Sequence, residues 1–357
     1  MVSVLGFDIG GANTKAALIN AEKGVVHSVE VSVRYFPIWK EPEKLTSVLI
    51  ELKQKLIKDK IDAVGVTMTA ELADAYQTKR EGVHNILGCA KKAFADLPIY
   101  VLTTEAELIS IQAAEKNPLA VAAANWAATG WLTAQHLKDV VVVDVGSTST
   151  SIIPIVNAKL AAKGKTDLDK LMCGELVYTG SLRTNVATIV QSIPLKGGVA
   201  SVASELFALS GDVHLVLGHI SETEYTSETA DGRGKSVSEA IARLTRVVCA
   251  DTEMLNQKET QAMAEYIYQQ QINQIAAGLT QVYKHTKTLT SKRVPVVVTG
   301  LGKNFLAWKA AQKIGADAII DLDTVLPTQA VIATPAVGIA LMVASKLTGE
   351  PTSWASQ

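Results

Sequence analysis

Two short stretches of this chain share one design: Asp8-Ile9-Gly10-Gly11-Ala12-Asn13-Thr14-Lys15 and Asp144-Val145-Gly146-Ser147-Thr148-Ser149-Thr150, each following a short apolar run. In each, a strand delivers an aspartate and the chain then turns back through small residues. Backbone N–H groups in such a turn converge on an anion, and Thr14, Ser147, Thr148 and Thr150 can add hydroxyl donors. Gly10, Gly11 and Gly146 leave room for phosphate oxygens, Asn13 and Ser149 complete the two cradles, and Lys15 adds a cation. Asp8 and Asp144 would repel phosphate directly but can hold Mg²⁺ through water as the ion bridges phosphate oxygens. A third glycine turn, Gly300-Leu301-Gly302-Lys303-Asn304, follows the apolar run from Val294 to Thr299. Three strand-ended glycine turns predict a metal–phosphate cleft between two half-domains. The competing explanation is that these are hairpin turns whose glycines supply positive φ; two copies in the same order make it the lesser one.

The elements that must position these turns are legible from periodicity. Val2 to about Phe36 reads as a three-stranded meander, and Leu45, Val48, Leu49, Leu52 and Leu56 fall on one face of a helix within Pro42–Ile61. A strand over Ala63–Thr67 ends near Thr69, Glu71 and Asp74, at the carboxyl end where α/β sheets place ligands. Glu71 and Asp74 are therefore acid/base or metal-shell candidates, against the alternative that they open a solvated helix. Ile99–Leu102 is a strand, Glu105 is expected to begin a helix, and Trp126 is expected to pack first and wall a ligand second. A strand over Val140–Val143 begins a second half, which places one domain at 1–135 and another at 136–357. An insertion at about 167–235 carries Tyr178, Arg183, Asp212, His214 and Arg233. Arg183 and Arg233 suit bidentate phosphate binding. The alternation in Asp212–Gly218 fits a strand, in which His214 is as much a structural as a catalytic histidine. Helices are expected over Val237–Met254, Glu259–Tyr283 and Asn304–Ile314, and an apolar helix at about Ala333–Leu347 is expected to pack across the cleft.

Composition narrows the class. Thirty-four Lys and Arg against 35 Asp and Glu give a formal net charge of −1, so no basic field exists to hold nucleic acid. Cys89, Cys173 and Cys249 form neither a zinc pattern nor a disulfide framework. No secretion signal or membrane span is read, so a cytoplasmic location is expected.

Paired Asp-Gly-hydroxyl turns, the later Gly-Leu-Gly turn and the last helix resemble the superfamily of acetate and sugar kinases, Hsp70 and actin. That resemblance implies an α/β protein of two ribonuclease-H-like domains with a cleft between them. Five segments narrow it: Phe7–Lys15, Gly65–Leu72, Gly174–Gly180, Asp212–Gly218 and Thr229–Arg233. Together they are similar to the hydantoinase/oxoprolinase-related group linked to tetrahydromethanopterin C1 transfer. The resemblance implies a transferase of methanofuran biosynthesis, in which the phenol of γ-glutamyltyramine attacks the methylene carbon of an aminomethylfuran diphosphate and diphosphate leaves. It implies Mg²⁺ near Asp8 and Asp144 and small-molecule partners. The base is one of Glu71, Asp74, Asp212 and His214. Trp126 and Tyr178 are candidates to stack on a furan or phenol ring, and Gly300 and Gly302 are candidates to contact substrate. The pattern departs from the group at Ser151, where an acidic residue is usual, and at Asn185, where proline is common. An ATP-dependent kinase or hydantoinase-like enzyme of the same fold is the alternative, and a nucleotide-dependent filament protein is a further one.

Overall fold

An opening strand buried on both faces from Val4 to Ile9 organises the first unit of the computed structural model, which describes residues 1–57 and 60–354. This unit comprises Met1–Lys138, Ile155–Asp169 and the chain from Asp323; the second comprises Asp139–Pro154 and Lys170–Leu322.

In the first unit β1 (Val2–Ile9), β2 (Asn13–Glu22) and β3 (Val25–Tyr35) form an antiparallel meander, and β4 (Ala63–Met68) and β5 (Ile99–Leu102) follow on the other side of β1, parallel to it. The short β6 (Leu108–Ser110) closes that edge. Leu5, Phe7 and Ile9 point into a core with the helices Leu45–Leu56 and Lys79–Ala93. The five apolar residues on the predicted face of the first of these helices are all buried. Gly6 points the other way, toward the helix Thr334–Thr348, whose Ala336 oxygen would lie 2.1 Å from a Cβ at that position. Only glycine lets the helix backbone approach β1 so closely, and that contact joins the C-terminal helix to the first unit. The sequence alone groups this helix with the rest of 136–357.

Because β1, β4 and β5 are parallel, their carboxyl ends lie along one sheet edge. The Gly10 turn, Thr69–Glu71 and Thr103–Ala106 therefore follow one another at strand spacing, about 4.8 Å per step.

The second sheet repeats the plan. A turn joins β7 (Val140–Val145) to β8 (Thr150–Val156); β9 (Lys159–Leu160) and β10 (Leu176–Val177) pair with β8; and a separate hairpin is formed by β11 (Ser192–Leu195) and β12 (Gly198–Ser201). Parallel strands β13 (Val296–Thr299) and β14 (Ile319–Asp321) extend from β7. The 33-residue helix Gln257–Leu289, longer than expected at both ends, packs on this sheet's core and starts with a capping box between Asn256 and Glu259. β15 (Ser353–Trp354) returns to β3.

Three local expectations change. Glu105 lies in the turn between β5 and β6, not at a helix start. The segment Ser210–Val216 is a helix; Asp212, Val213, His214 and Leu215 are all buried, so it shows no helical polar face for periodicity to find. The helix from Val237 ends at Arg246 instead of Met254. Among the described residues no helix is long and apolar enough to cross a membrane.

Candidate functional site

Both aspartate–glycine turns have the same backbone closure. Gly10 N–H donates to Asn13 O at 3.0 Å, and Gly146 N–H donates to Ser149 O at 2.9 Å. None of Gly10, Gly11 and Gly146 adopts a positive φ, so the hairpin explanation for these glycines fails. Gly10 is required by contact, since a Cβ would sit 2.7 Å from Asn13 O. Gly11 has nothing within 4 Å of its missing Cβ, which leaves its backbone open to a ligand. Thr14 and Lys15 stand in β2 beside Ile9 and Asp8.

Sheet register adds residues that the sequence did not single out. Thr67 of β4 lies beside Asp8, and Thr299 of β13 lies beside Asp144. The hydroxyls of Thr14, Thr67 and Thr299 are buried without a hydrogen bond, as is that of Ser181. Buried polar groups in folded proteins are almost always paired. Thr67 beside Asp8 and Thr299 beside Asp144 thus each offer an unpaired hydroxyl that a polar ligand can complete.

Glu71 follows β4 in a short 3₁₀ turn and is 1% exposed. Neither carboxylate oxygen has a hydrogen bond. Lys79 Nζ lies 3.6 Å away and also contacts Asp167 at 2.5 Å. Burial pushes the Glu71 carboxyl up to about 7, against the pull of Lys79 and nearby backbone N–H groups, while Asp167 adds to the rise. A carboxyl that changes charge near neutrality can accept a proton and hold it. Gly82 lets the helix Lys79–Ala93 close over this turn, since a Cβ there would lie 2.2 Å from Glu71 O. Asp74, by contrast, is exposed in the following turn.

In the second unit the loop Gly146–Thr150 is braced from behind. Ser181 N–H donates to Gly146 O at 2.9 Å, Leu182 and Arg183 N–H both donate to Ser147 O at 3.0 Å, and Thr150 Oγ1 donates to Thr179 O at 2.7 Å. Arg183 Nη1 reaches Thr148 Oγ1 at 3.1 Å, so this predicted arginine does meet the turn. Gly300, at φ 85°, lies so close to Asp144 that a Cβ would fall 2.5 Å from Oδ1; Gly302 N–H donates to Val145 O at 3.0 Å. These two glycines seat the third turn on the second.

Buried Gln271 braces the segment 179–184. Its Nε2 donates to Thr179 Oγ1 at 2.9 Å and to Gly180 O at 2.8 Å, so its Oε1 accepts from His214 Nε2 at 3.0 Å. That fixes the His214 tautomer, and His214 Nδ1 then accepts from His219 Nδ1 at 3.2 Å. Burial first, then His219, pull His214 down to about 3 despite the Gln271 bond. A fully buried imidazole with both nitrogens engaged is a brace, which corrects its candidacy as base.

Asp212 is corrected too. Its Oδ1 accepts from Arg243 Nε at 2.9 Å, with Nη2 at 2.8 Å, and its Oδ2 accepts from Leu209 N–H at 2.9 Å. Both residues are fully buried. Burial disfavours the Arg243 charge, but the hydrogen bond and charge of Asp212 outweigh it and hold the guanidinium protonated. Arg233 leans outward at the edge of this cluster, 67% exposed and 3.9 Å from Asp231. Tyr178 is 62% exposed. Asn185 caps the helix Val186–Ile189 by accepting from Ala187 N–H, a role that favours the amide at that position. Ser151 pairs with Leu176 of β10.

Among the described residues no group of three or more His, Cys, Asp and Glu is arranged to hold a metal. Mg²⁺ needs no such cluster when phosphate and water complete its shell. Asp8 with the unpaired hydroxyl of Thr67, its neighbour on the same sheet face, supplies hard-oxygen donors that fit it.

The hydantoinase/oxoprolinase family pattern matches residues 62–346. The chain belongs to the hydantoinase/oxoprolinase family. It is 40% identical over 306 residues, 85% of this chain and 88% of the relative, to the (4-{4-[2-(gamma-L-glutamylamino)ethyl]phenoxymethyl}furan-2-yl)methanamine synthase of Methanocaldococcus jannaschii. A protein of the same name from Methanococcus vannielii is 35% identical over 212 residues, 59% of this chain and 93% of the relative. A solved acetone carboxylase in nucleotide-free form is similar in fold, with a TM-score of 0.54 at 10% identity over 95% of this chain and 70% of that one. The two sheets share one plan, an antiparallel pair continued by parallel strands, and this hydantoinase/oxoprolinase member is α/β with the fold of that carboxylase.

Trp126 completes this family member's set of predicted residues. It is buried on the helix Asn125–Ala134, where it packs and also lines a cavity. Lys79, Asp167 and Gln271 escaped sequence reasoning because their partners lie 8, 96 and 91 or 92 residues away from them in the chain. The only local trace was a lysine one helical start beyond Glu71.

Proposed function

We propose that this protein is a transferase of methanofuran biosynthesis that joins the phenol of γ-glutamyltyramine to (5-aminomethyl-3-furyl)methyl diphosphate. The phenol oxygen forms a bond to the methylene carbon, the carbon–oxygen bond to diphosphate breaks, and the electron pair leaves with diphosphate. The phenolic proton, ordinarily bound with a pKa of about 10, goes to Glu71. The furan stabilises positive charge on its methylene, so the larger demand is on the leaving group. Backbone N–H groups of the Gly10 turn, with Thr14 and Lys15, are the donors that would take up the charge as it develops. The Gly146 turn is a second cradle of the same design. Mg²⁺, held at Asp8, would supply further charge neutralisation when bound.

The observation that carries this reading is Glu71: a buried carboxyl pushed by burial to about 7, one strand from an open glycine turn. Relatives with the synthase name support the substrate assignment. The test is a mass-spectrometric assay of purified protein with Mg²⁺, the diphosphate and γ-glutamyltyramine, with and without ATP. Ether and diphosphate formed without ATP are expected. ATP hydrolysis or a phosphorylated product, with no ether, would replace the reading with a kinase-like one.

A further inference from the structure

The carboxyl end of β5, next along the sheet edge from Glu71, opens into a cavity of about 340 Å³. The indoles of Trp126 and Trp131 line it, and Glu105, Lys159 and Lys165 bring charges of both signs. Glu105 and Lys165 form an ion pair while each is more than half exposed, at 55% and 53%. An exposed pair of this kind adds little to stability. It can therefore be exchanged for bonds to a ligand that presents the two complementary charges.

The turn that carries Glu105 is firmly held. Thr103 Oγ1 accepts from Glu105 N–H at 3.3 Å and from Glu107 N–H at 3.1 Å, Thr103 N–H donates to Glu107 O at 2.9 Å, and Thr104 N–H donates to Ala120 O at 2.9 Å. Ala106 is held at φ 58°, a left-handed conformation that a residue with a Cβ adopts at a cost. Strain of this sort persists where the surrounding structure holds it, and it gathers at ligand sites.

We propose that this cavity binds the amino-acid end of the acceptor. The α-carboxylate of a γ-glutamyl group would meet Lys165, with Lys159 beside it, its α-ammonium would meet Glu105, and the phenethyl body would run along the tryptophan wall toward Glu71. The assignment rests on the transferase reading above and deepens it by locating what selects the acceptor. Paired opposite charges fit a zwitterion, whereas the furan donor carries an ammonium and a diphosphate. The volume sits at the small end of ligand cavities, enough for an amino-acid head but not for the whole ether product. The acceptor is long and its reactive phenol is at the opposite end from its amino acid. One strand spacing of about 4.8 Å between the ends of β4 and β5 is a step it spans.

The experiment compares γ-glutamyltyramine with tyramine, which lacks the glutamyl head, in the wild type and in Glu105→Gln and Lys165→Met. Both side chains are exposed, so folding is not at stake. In each variant KM for γ-glutamyltyramine is expected to rise about tenfold, as for loss of one charged hydrogen bond, with KM for the diphosphate donor unmoved. The preference for γ-glutamyltyramine over tyramine in kcat/KM falls by the same factor. If the wild type forms ether and both variants keep its preference, the cavity assignment is wrong. If the wild type forms no ether from either acceptor, the transferase reading falls and takes this one with it.

Discussion

The Glu71 carboxylate stands 3.6 Å from the Lys79 ammonium and is nearly sealed from water, yet that one cation does not keep it in the ordinary carboxylate range. Burial wins because the pull of Lys79 and of the backbone N–H groups of Glu71 and Ala123 is smaller, and Asp167 works against it. As a base Glu71 must be ionised, so kcat/KM should rise with pH and level off above about 7. Lys79→Ala removes the charge that favours the anion and should move this limb to higher pH. Glu71→Gln should lose about 10²–10⁴-fold in kcat. Identical midpoints for wild type and Lys79→Ala would show that another group titrates.

The same residue should be visible in stability. Its pKa is about 7 when folded and 4.5 when unperturbed. Between these values the folded protein keeps a proton that the unfolded chain releases. Stability from this group is therefore fully present below 4.5, falls as pH rises to 7, and is flat above. The difference corresponds to about 3 kcal/mol. Glu71→Gln, which cannot ionise, should be more stable than wild type at pH 8 and lose that advantage near pH 4.5. Urea unfolding of the two proteins at both pH values measures this.

Gly10 and Gly11 are adjacent but should fail differently. A methyl on Gly10 meets Asn13 O at 2.7 Å, so Gly10→Ala should deform the turn and lower Tm. A methyl on Gly11 meets nothing within the protein. If phosphate approaches that backbone, Gly11→Ala should leave Tm unchanged and raise donor KM about tenfold, the loss of one good hydrogen bond. An unchanged donor KM would remove Gly11 from the cradle.

What the sequence made legible was local. The two turns could be read because strand, aspartate and glycine follow one another, and the helix Leu45–Leu56 because its five buried residues recur at helical spacing. Asp212 and His214 misled because a helix buried on several sides loses its period and imitates a strand. The partners that decide their roles, Arg243 and Gln271, lie 31 and 57 residues away. Thr67 and Thr299 became meaningful only once sheet register set them beside Asp8 and Asp144. The Glu105–Lys165 pair spans 60 residues and depends on how β9 and the turn after β5 are brought together around one cavity.

Asp212 should matter for stability and not for proton transfer. Asp212→Ala takes the acceptor from Nε and Nη2 of the fully buried Arg243, leaving only its Nη1 contacts with Asp231 and Gly234 O, and leaves Leu209 N–H without its acceptor. Breaking a buried pair costs roughly 3–5 kcal/mol, which is about 10 °C in Tm for a unit of this size. The pH profile of the protein that remains folded at low temperature should keep its midpoint near 7. A shifted or vanished limb in that profile would return Asp212 to the list of bases.

Gln271 offers the sharpest test of whether the second cradle binds diphosphate. Its amide holds Thr179 and Gly180, and the segment they begin supplies the N–H groups of Ser181, Leu182 and Arg183 to the carbonyls of Gly146 and Ser147. Gln271→Leu keeps the bulk but leaves His214 Nε2–H unpaired and removes the amide's bonds to Thr179 Oγ1 and Gly180 O, the latter still accepting from Ser210 Oγ. The loop should then hold its donors less rigidly, although residue 271 itself is buried away from solvent. Calorimetric titration with inorganic diphosphate should show weaker binding in Gln271→Leu. Arg183→Ala, which removes the contact with Thr148 at the loop, should show weaker binding as well. If Gln271→Leu lowers Tm while diphosphate affinity stays at the wild-type value in both variants, the brace serves folding alone and the second turn is not a diphosphate site.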